Sequence, residues 1–213
     1  MTRSMWFRGT VAIAASGLGL VAAAHLLLPW YIAWGSRDAE RRVSLPGDDI
    51  VAAPQTSYTL AASIDAAPGA IWPWLVQMGQ GRGGFYTHEW VENLLGARVE
   101  NASRIVPALQ HLEVGDRIRL TPDPYFGHAG QFMTVEQLEP AHALVFSQTL
   151  PNGARASWAI VLHPQGDGST RVLSRRRGGQ PTRFDRVMRH GYVFMDRGVL
   201  RGLRVRAEAR AGA

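Results

Sequence analysis

Ile71 to Trp90 reads IWPWLVQMGQGRGGFYTHEW, and these twenty positions hold three tryptophans, four glycines and two glutamines. Surfaces rarely carry that many large aromatics, and an ordinary turn needs one or two glycines. The stretch therefore builds something close-packed and specifically shaped. Upstream of it, Thr56 to Ile64 alternates with Tyr58, Leu60, Ala62 and Ile64 on one face, which predicts a strand. Pro68 suits a helical first turn, and Ile71, Trp74, Leu75 and Met78 share the face of a short helix. After the glycine turn, Thr87 can cap a second short helix through Leu95, with Glu89 in its first turn.

Downstream, strands are predicted at Asp116–Thr121, Gln131–Leu138, Ala143–Thr149, Ala156–His163 and Arg171–Arg177. Turn signals such as Pro151-Asn152-Gly153 and Gly166-Asp167-Gly168 separate them. From Pro181 the period changes. Phe184, Val187, Met188, Tyr192, Met195, Val199 and Leu203 recur at three and four, the stripe of a long amphipathic helix. Arg183, Arg186, Arg189, Arg197, Arg201, Arg204 and Arg210 mostly take its other faces.

Charge is unevenly placed. All 23 basic residues are arginine, and the net charge is +6. Arg171 to Ala213 carries twelve Arg against Asp185, Asp196 and Glu208, a local +9. Such a tail reads first as the solvated face of the long helix, with anionic headgroups as the sharper alternative. Nucleic acid is not an expected partner. There is no cysteine, which excludes disulfides and thiolate chemistry, and no lysine, which excludes a Schiff base.

Between Arg8 and Arg37 lie 28 residues without a charged side chain. As a helix they would span about 42 Å, against roughly 30 Å of hydrocarbon. Trp6 stands at one end and Trp30, Tyr31 and Trp34 at the other, as an aromatic belt would place them. A cleaved signal peptide competes, with Arg3 and Arg8 as its basic region. The apolar stretch is longer than its core usually is and offers no clean cleavage site, so a single-pass anchor is expected. Arg3 and Arg8 balance Arg37, Arg41 and Arg42, which leaves orientation open. The organisation read from the sequence is a tail at 1–9, an anchor at 10–34, a polar linker at 35–55 and one domain at 56–209.

The order strand, two short helices, antiparallel strands, long helix resembles the helix-grip fold of the START-like, or SRPBCC, superfamily, which includes polyketide cyclase-like members. Ile64-Asp65-Ala66-Ala67-Pro68 and Ile71-Trp72-Pro73-Trp74-Leu75-Val76-Gln77-Met78-Gly79 are similar to the opening of membrane-anchored actinobacterial members. Gly81-Arg82-Gly83-Gly84-Phe85-Tyr86, Trp90-Val91-Glu92-Asn93-Leu94-Leu95 and Val114-Gly115-Asp116 continue the likeness. It implies an α+β class, a curved antiparallel sheet wrapped around a long C-terminal helix, and a bacterial plasma membrane.

Other motifs fall away. Gly79 to Gly84 formally satisfies GxGxxG, but a helix precedes it and no acid stands about twenty positions on in a strand, so dinucleotide binding is not expected. His88-Glu89 followed by Glu92 lacks the second histidine of HExxH, and neither metal nor cofactor is expected. His128 and Glu136 are the available general acid–base groups, with nothing to bring them together. In an apolar setting Gln77, Gln80, Tyr86 and Asn93 need partners, Arg82 suits a carboxylate or phosphate, and Trp74 and Trp90 offer stacking area. These seven are the candidate ligand-binding residues. The competing reading makes the tryptophans core and pairs Arg82 with Glu89 or Glu92.

The expected function is binding of a hydrophobic or amphipathic small molecule, lipid- or polyketide-like, between sheet and terminal helix. The alternatives are a cyclase or dehydratase acting in the same cavity and an interaction module without a ligand. Ligand, oligomeric state and catalytic residues stay open.

Overall fold

The computed structural model of the chain describes residues 30–94, 96–125, 129–150, 152–180 and 183–211, the side chains of 183–188 and 210–211 excepted. Six antiparallel strands form one sheet: β1 (Thr56–Ile64), β2 (Arg117–Arg119), β3 (Phe132–Glu139), β4 (Ala143–Thr149), β5 (Arg155–Pro164) and β6 (Thr170–Gly178). Their order is β1-β6-β5-β4-β3-β2. β1 therefore closes against the last strand, pairing from Thr56 with Gly178 to Ile64 with Thr170. Helices α1 (Asp38–Arg42), α2 (Pro68–Val76) and α3 (Glu89–Leu94) are short, and α4 (Arg183–Ala211) is long. Antiparallel sheet plus C-terminal helix is the helix-grip arrangement. Among the described residues no helix is long and apolar enough to cross a membrane; the expected anchor lies outside them up to residue 29.

Strand alternation sends Leu60 and Ile64 of β1, Val172 of β6, Ile160 and Leu162 of β5 and Phe146 of β4 to one face. There they meet Ile71, Trp74 and Leu75 of α2 and Val193, Val199, Leu200, Leu203 and Ala207 of α4. Each such aliphatic side chain contributes about 1.5–3 kcal/mol by leaving water. The terminal helix turns a slightly different side inward from the one its apolar residues predict. Tyr192 is 42% exposed, whereas Asp196 is buried in line with Val193, Leu200 and Leu203. The side chains of Phe184, Val187 and Met188 lie outside the described ones. A close crossing fixes this rotation: a Cβ at Gly202 would stand 2.1 Å from the Tyr86 carbonyl oxygen. Only glycine lets the helix come that near.

The opposite face of the sheet is covered too. Ala61, Ala143, Val145, Ala159, Val161 and Leu173 pack there against Leu45 and Ile50. The cover is the stretch read as a linker. Residues 35–55 lie along the sheet because their charges match its arginines. Glu40 takes Arg171 at 2.7 Å, and that bond, outweighing the opposing effect of burial, holds the Glu40 carboxyl below the usual carboxylate range. Arg175, 4% exposed, is the central tie. It donates to Thr59 Oγ1, to the carbonyls of Glu40, Arg41 and Val43, and to Asp48 at 2.7 Å. Arg177 reaches the other Asp48 oxygen at 2.9 Å. Earlier still, the Trp34 carbonyl accepts from Ala61 N–H at 3.1 Å, occupying the outer edge of β1.

Arg175→Met is expected to lower stability by about 2–4 kcal/mol, because it leaves three backbone carbonyls without their donor and removes one of the two arginines that hold the Asp48 carboxylate. Urea unfolding of the full chain in detergent measures this, and limited proteolysis should cut first within residues 36–54. An unchanged midpoint would mean the stretch is held by its apolar contacts alone.

Candidate functional site

The glycine-rich turn is a backbone knot. Gly79 and Gly84 exchange N–H to carbonyl bonds of 3.0 and 3.1 Å, and Gly83 N–H donates to the Gln77 carbonyl at 2.8 Å. Around it the polar residues singled out in the sequence hold the chain itself. Gln77 is fully buried; its amide donates to the Arg104 carbonyl at 3.2 Å and accepts from Val106 N–H at 3.0 Å. Gln80 donates to the Ala97 carbonyl at 2.9 Å. Arg82 donates to the carbonyls of Val76 and Leu109, both at 3.1 Å. Asn93 exchanges two bonds with Val99, at 2.9 and 2.6 Å.

Tyr86 donates its hydroxyl to the Trp74 carbonyl at 2.9 Å and sets its ring edge-on to that indole at 5.8 Å. Its own N–H is taken by Asn101 Oδ1 at 2.7 Å, which supports a left-handed backbone at φ 60°. The structure thus gathers Trp74, Gln77, Gln80, Arg82, Tyr86 and Asn93 around the 96–110 loop. Trp90 stands apart, 72% exposed. Three buried atoms of this group, Trp74 Nε1, Gln80 Oε1 and Arg82 Nε, have no hydrogen-bond partner among the described residues. Each costs about 1–3 kcal/mol left that way, so a water or ligand group is favoured beside them.

The HExxE-like segment is likewise engaged locally. His88 stacks on Phe194 at 4.4 Å, Glu89 accepts from Asn101 N–H at 3.1 Å and Glu92 accepts from the Thr87 hydroxyl. Among the described residues no group of three or more His, Asp or Glu could hold a metal. Glu136 accepts from Ser147 and Arg155, while His128 lies outside the described residues.

A second constellation escaped the sequence reading. On the inner face of the sheet, between β1, β6 and α4, Tyr58 donates to Asp196 Oδ2 at 2.6 Å. Arg176 donates to both oxygens of the same carboxylate, at 2.7 and 2.9 Å. The guanidinium lies over the Trp158 ring at 4.0 Å, and that indole donates to Ser174 Oγ at 2.9 Å. Phe85 and Phe146 flank Trp158 at 6.3 and 5.8 Å. Asp196 is 1% exposed at its side chain and Arg176 27%, so the arginine is the member that reaches open space.

Burial, and then the Asp196 carboxylate, push the Tyr58 hydroxyl well above its ordinary value, so it stays a donor. Burial alone would push the Arg176 guanidinium down, but Asp196 more than offsets it and the arginine stays charged. The cluster sets a charged guanidinium, its carboxylate partner and a phenol among buried aromatic side chains. A signal did exist in the sequence: Arg176 continues the inward alternation of Val172 and Ser174, and Asp196 interrupts the helix stripe. An acid and a base both aimed inward imply a pair.

No family model matches the chain, and no curated protein does. Among solved structures it is similar to MLL2253 from Mesorhizobium loti, at 17% identity over 70% of this chain and 96% of that one, with a TM-score of 0.43. Ara h 8.0201 is similar at 10% identity, covering 72% and 98%, with a TM-score of 0.46. DynU16, a putative protein in the dynemicin biosynthetic locus, is similar at 15%, covering 70% and 48%, with a TM-score of 0.42. At these scores the likenesses leave fold and function to the chain's own geometry.

Gln77→Ala is expected to cost roughly 2–3 kcal/mol, because it orphans buried backbone groups; urea unfolding measures it, and an unchanged midpoint would return Gln77 to a purely ligand-facing role. A second expectation concerns alkali. Burial pushes the Tyr86 hydroxyl up to about 12, from an unfolded value near 10. The corresponding stability is present below the unfolded value and lost as pH rises toward 12. Wild type should therefore lose roughly 2–3 kcal/mol more across that window than Tyr86→Phe. Parallel curves would show that the hydroxyl titrates normally.

Proposed function

We propose that the chain is a membrane-held binding protein that takes an amphipathic small molecule between the inner face of its sheet and α4, with Arg176 meeting the molecule's polar or anionic head. The observation that carries this reading is the Tyr58–Asp196–Arg176 cluster, a charged group fixed over an indole on an otherwise apolar face. Asp196 and Tyr58 aim the guanidinium and restrain its rotation, and the buried rings of Trp158, Phe85 and Phe146 form the packed apolar backing behind it. The Tyr58 hydroxyl stays protonated and the Asp196 carboxylate is engaged twice by Arg176, so the cluster serves recognition and not proton transfer. In this reading Gln77, Gln80, Arg82, Tyr86 and Asn93 shape the wall, and the partnerless Trp74 Nε1 and Arg82 Nε are secondary polar contacts. The tether is the charge-free stretch before Arg37. A tethered protein meets a bilayer-dissolved ligand at high local concentration.

Native mass spectrometry of the full chain, released from detergent with hexadecanoate, hexadecyl sulfate or hexadecanol, tests this. Adducts are expected with the two anions, weakened about tenfold or more in Arg176→Met, since bonds to a charged group contribute about 1.5–3 kcal/mol. Adducts indifferent to Arg176→Met, or none from either anion, would remove the assignment.

A further inference from the structure

The charge-free stretch runs to Ser36, and the domain holds its last residues, 30–36, closely. Tyr31 donates its hydroxyl to the His190 carbonyl at 3.1 Å and stacks on that imidazole at 6.2 Å. Arg197 lies over the rings of Tyr31 and Trp34 at 5.3 and 4.8 Å, and Arg201 over Trp34 at 5.5 Å. Tyr31, Ile32 and Trp34 are half-buried against the main core. Residues 35–55 are bound to the far face of the sheet, so they are no free spacer between residues 30–34 and the folded unit.

Of the exposed aromatics, Trp30 and Trp90 stand on segments that adjoin this side of α4 and Phe194 stands on it, whereas Tyr192 takes another side of the helix, near Arg176. Among the described residues the large aromatic side chains counted as exposed are Trp30 (65%), Trp90 (72%), Tyr192 (42%) and Phe194 (38%), and Leu94 (79%) joins Trp90 one turn along α3. Phe194 links the two helices through its stack on His88 at 4.4 Å. On α4, His190, Phe194, Arg197 and Arg201 follow one another at three- and four-residue steps, so they share a side of the helix. Aromatics beside arginines are the composition of a bilayer interface: the rings sit at headgroup level and guanidinium groups meet phosphate. Arg197 and Arg201, beside Tyr31 and Trp34, supply the complementary charge there.

We propose that the domain lies directly on a bilayer, with residues 30–34, α3 and the His190–Arg201 side of α4 set among anionic lipid headgroups. This rests on the anchor reading, yet it is a separate claim: an anchored domain held away from the surface would satisfy the one and not the other.

The chain has no cysteine, so single probes can be placed at will. Trp90→Cys, Leu94→Cys and Phe194→Cys, with Val43→Cys on the far face as control, carry a fluorophore in full-length protein reconstituted into phosphatidylcholine vesicles containing phosphatidylglycerol. Headgroup-nitroxide lipids are expected to quench positions 90, 94 and 194 several-fold more than position 43, and less so when phosphatidylglycerol is left out. Equal quenching at all four, in protein that resists alkaline carbonate extraction, overturns the surface and leaves the anchor standing. Carbonate release with selective quenching overturns the anchor alone. Cross-linking between copies at position 194 without selective quenching assigns the face to self-association and also overturns the proposal.

Discussion

Along β5, Trp158, Ala159, Ile160, Val161 and Leu162 put successive side chains on opposite faces of the sheet, and none is more than 3% exposed. A strand buried on both sides needs two covers. Most of the architecture follows from that requirement. The inner cover is α4 with α2, and it reaches the sheet closely because Gly202 lets it rest on the Tyr86 backbone. The outer cover is the stretch from Gly35 to Val51, too poor in apolar residues to hold itself by burial. Its attachment is ionic and donor-rich, through Arg171, Arg175 and Arg177, and works because the carboxylates of Glu40 and Asp48 are brought in with it. Residues that resemble a spacer by composition are in this way part of the folded unit.

The inner compartment holds a different balance. A carboxylate as buried as Asp196 is tolerated only with close partners, and Tyr58 and Arg176 serve as such. The three groups come from the first strand, the last strand and the terminal helix, so the cluster also fixes the rotation of α4 about its axis. Facing Trp158, Arg176 sets a charge against an aromatic wall. A structural tie and a recognition element are the same atoms here.

The candidate loop illustrates how composition can mislead about purpose. Glutamines beside tryptophans suggested contacts for a ligand, because buried amides need partners. The partners are carbonyls and N–H groups of residues 97–106, a loop without regular pairing of its own. Arg82 behaves alike, donating to carbonyls of residues 76 and 109 and not to Glu89 or Glu92. Trp90 could not be told from Trp74 by residue type, yet one faces solvent and the other is buried.

What the sequence by itself determined is local: β1 at Thr56–Ile64, the short helix from Pro68, the later strands to within a few residues and one long amphipathic helix, hence an antiparallel α+β fold. Periods of two and near 3.6, with proline and glycine at the ends, are properties of neighbouring residues and can be read from them. The tertiary structure alone decided which polar group met which. Asp196 lies 138 residues from Tyr58, and Arg171 lies 131 from Glu40. Those partnerships depend on strand register and helix rotation, which no local pattern encodes. They turned an apparent linker into the sheet's second cover and an acid within a helix stripe into the centre of the inner site.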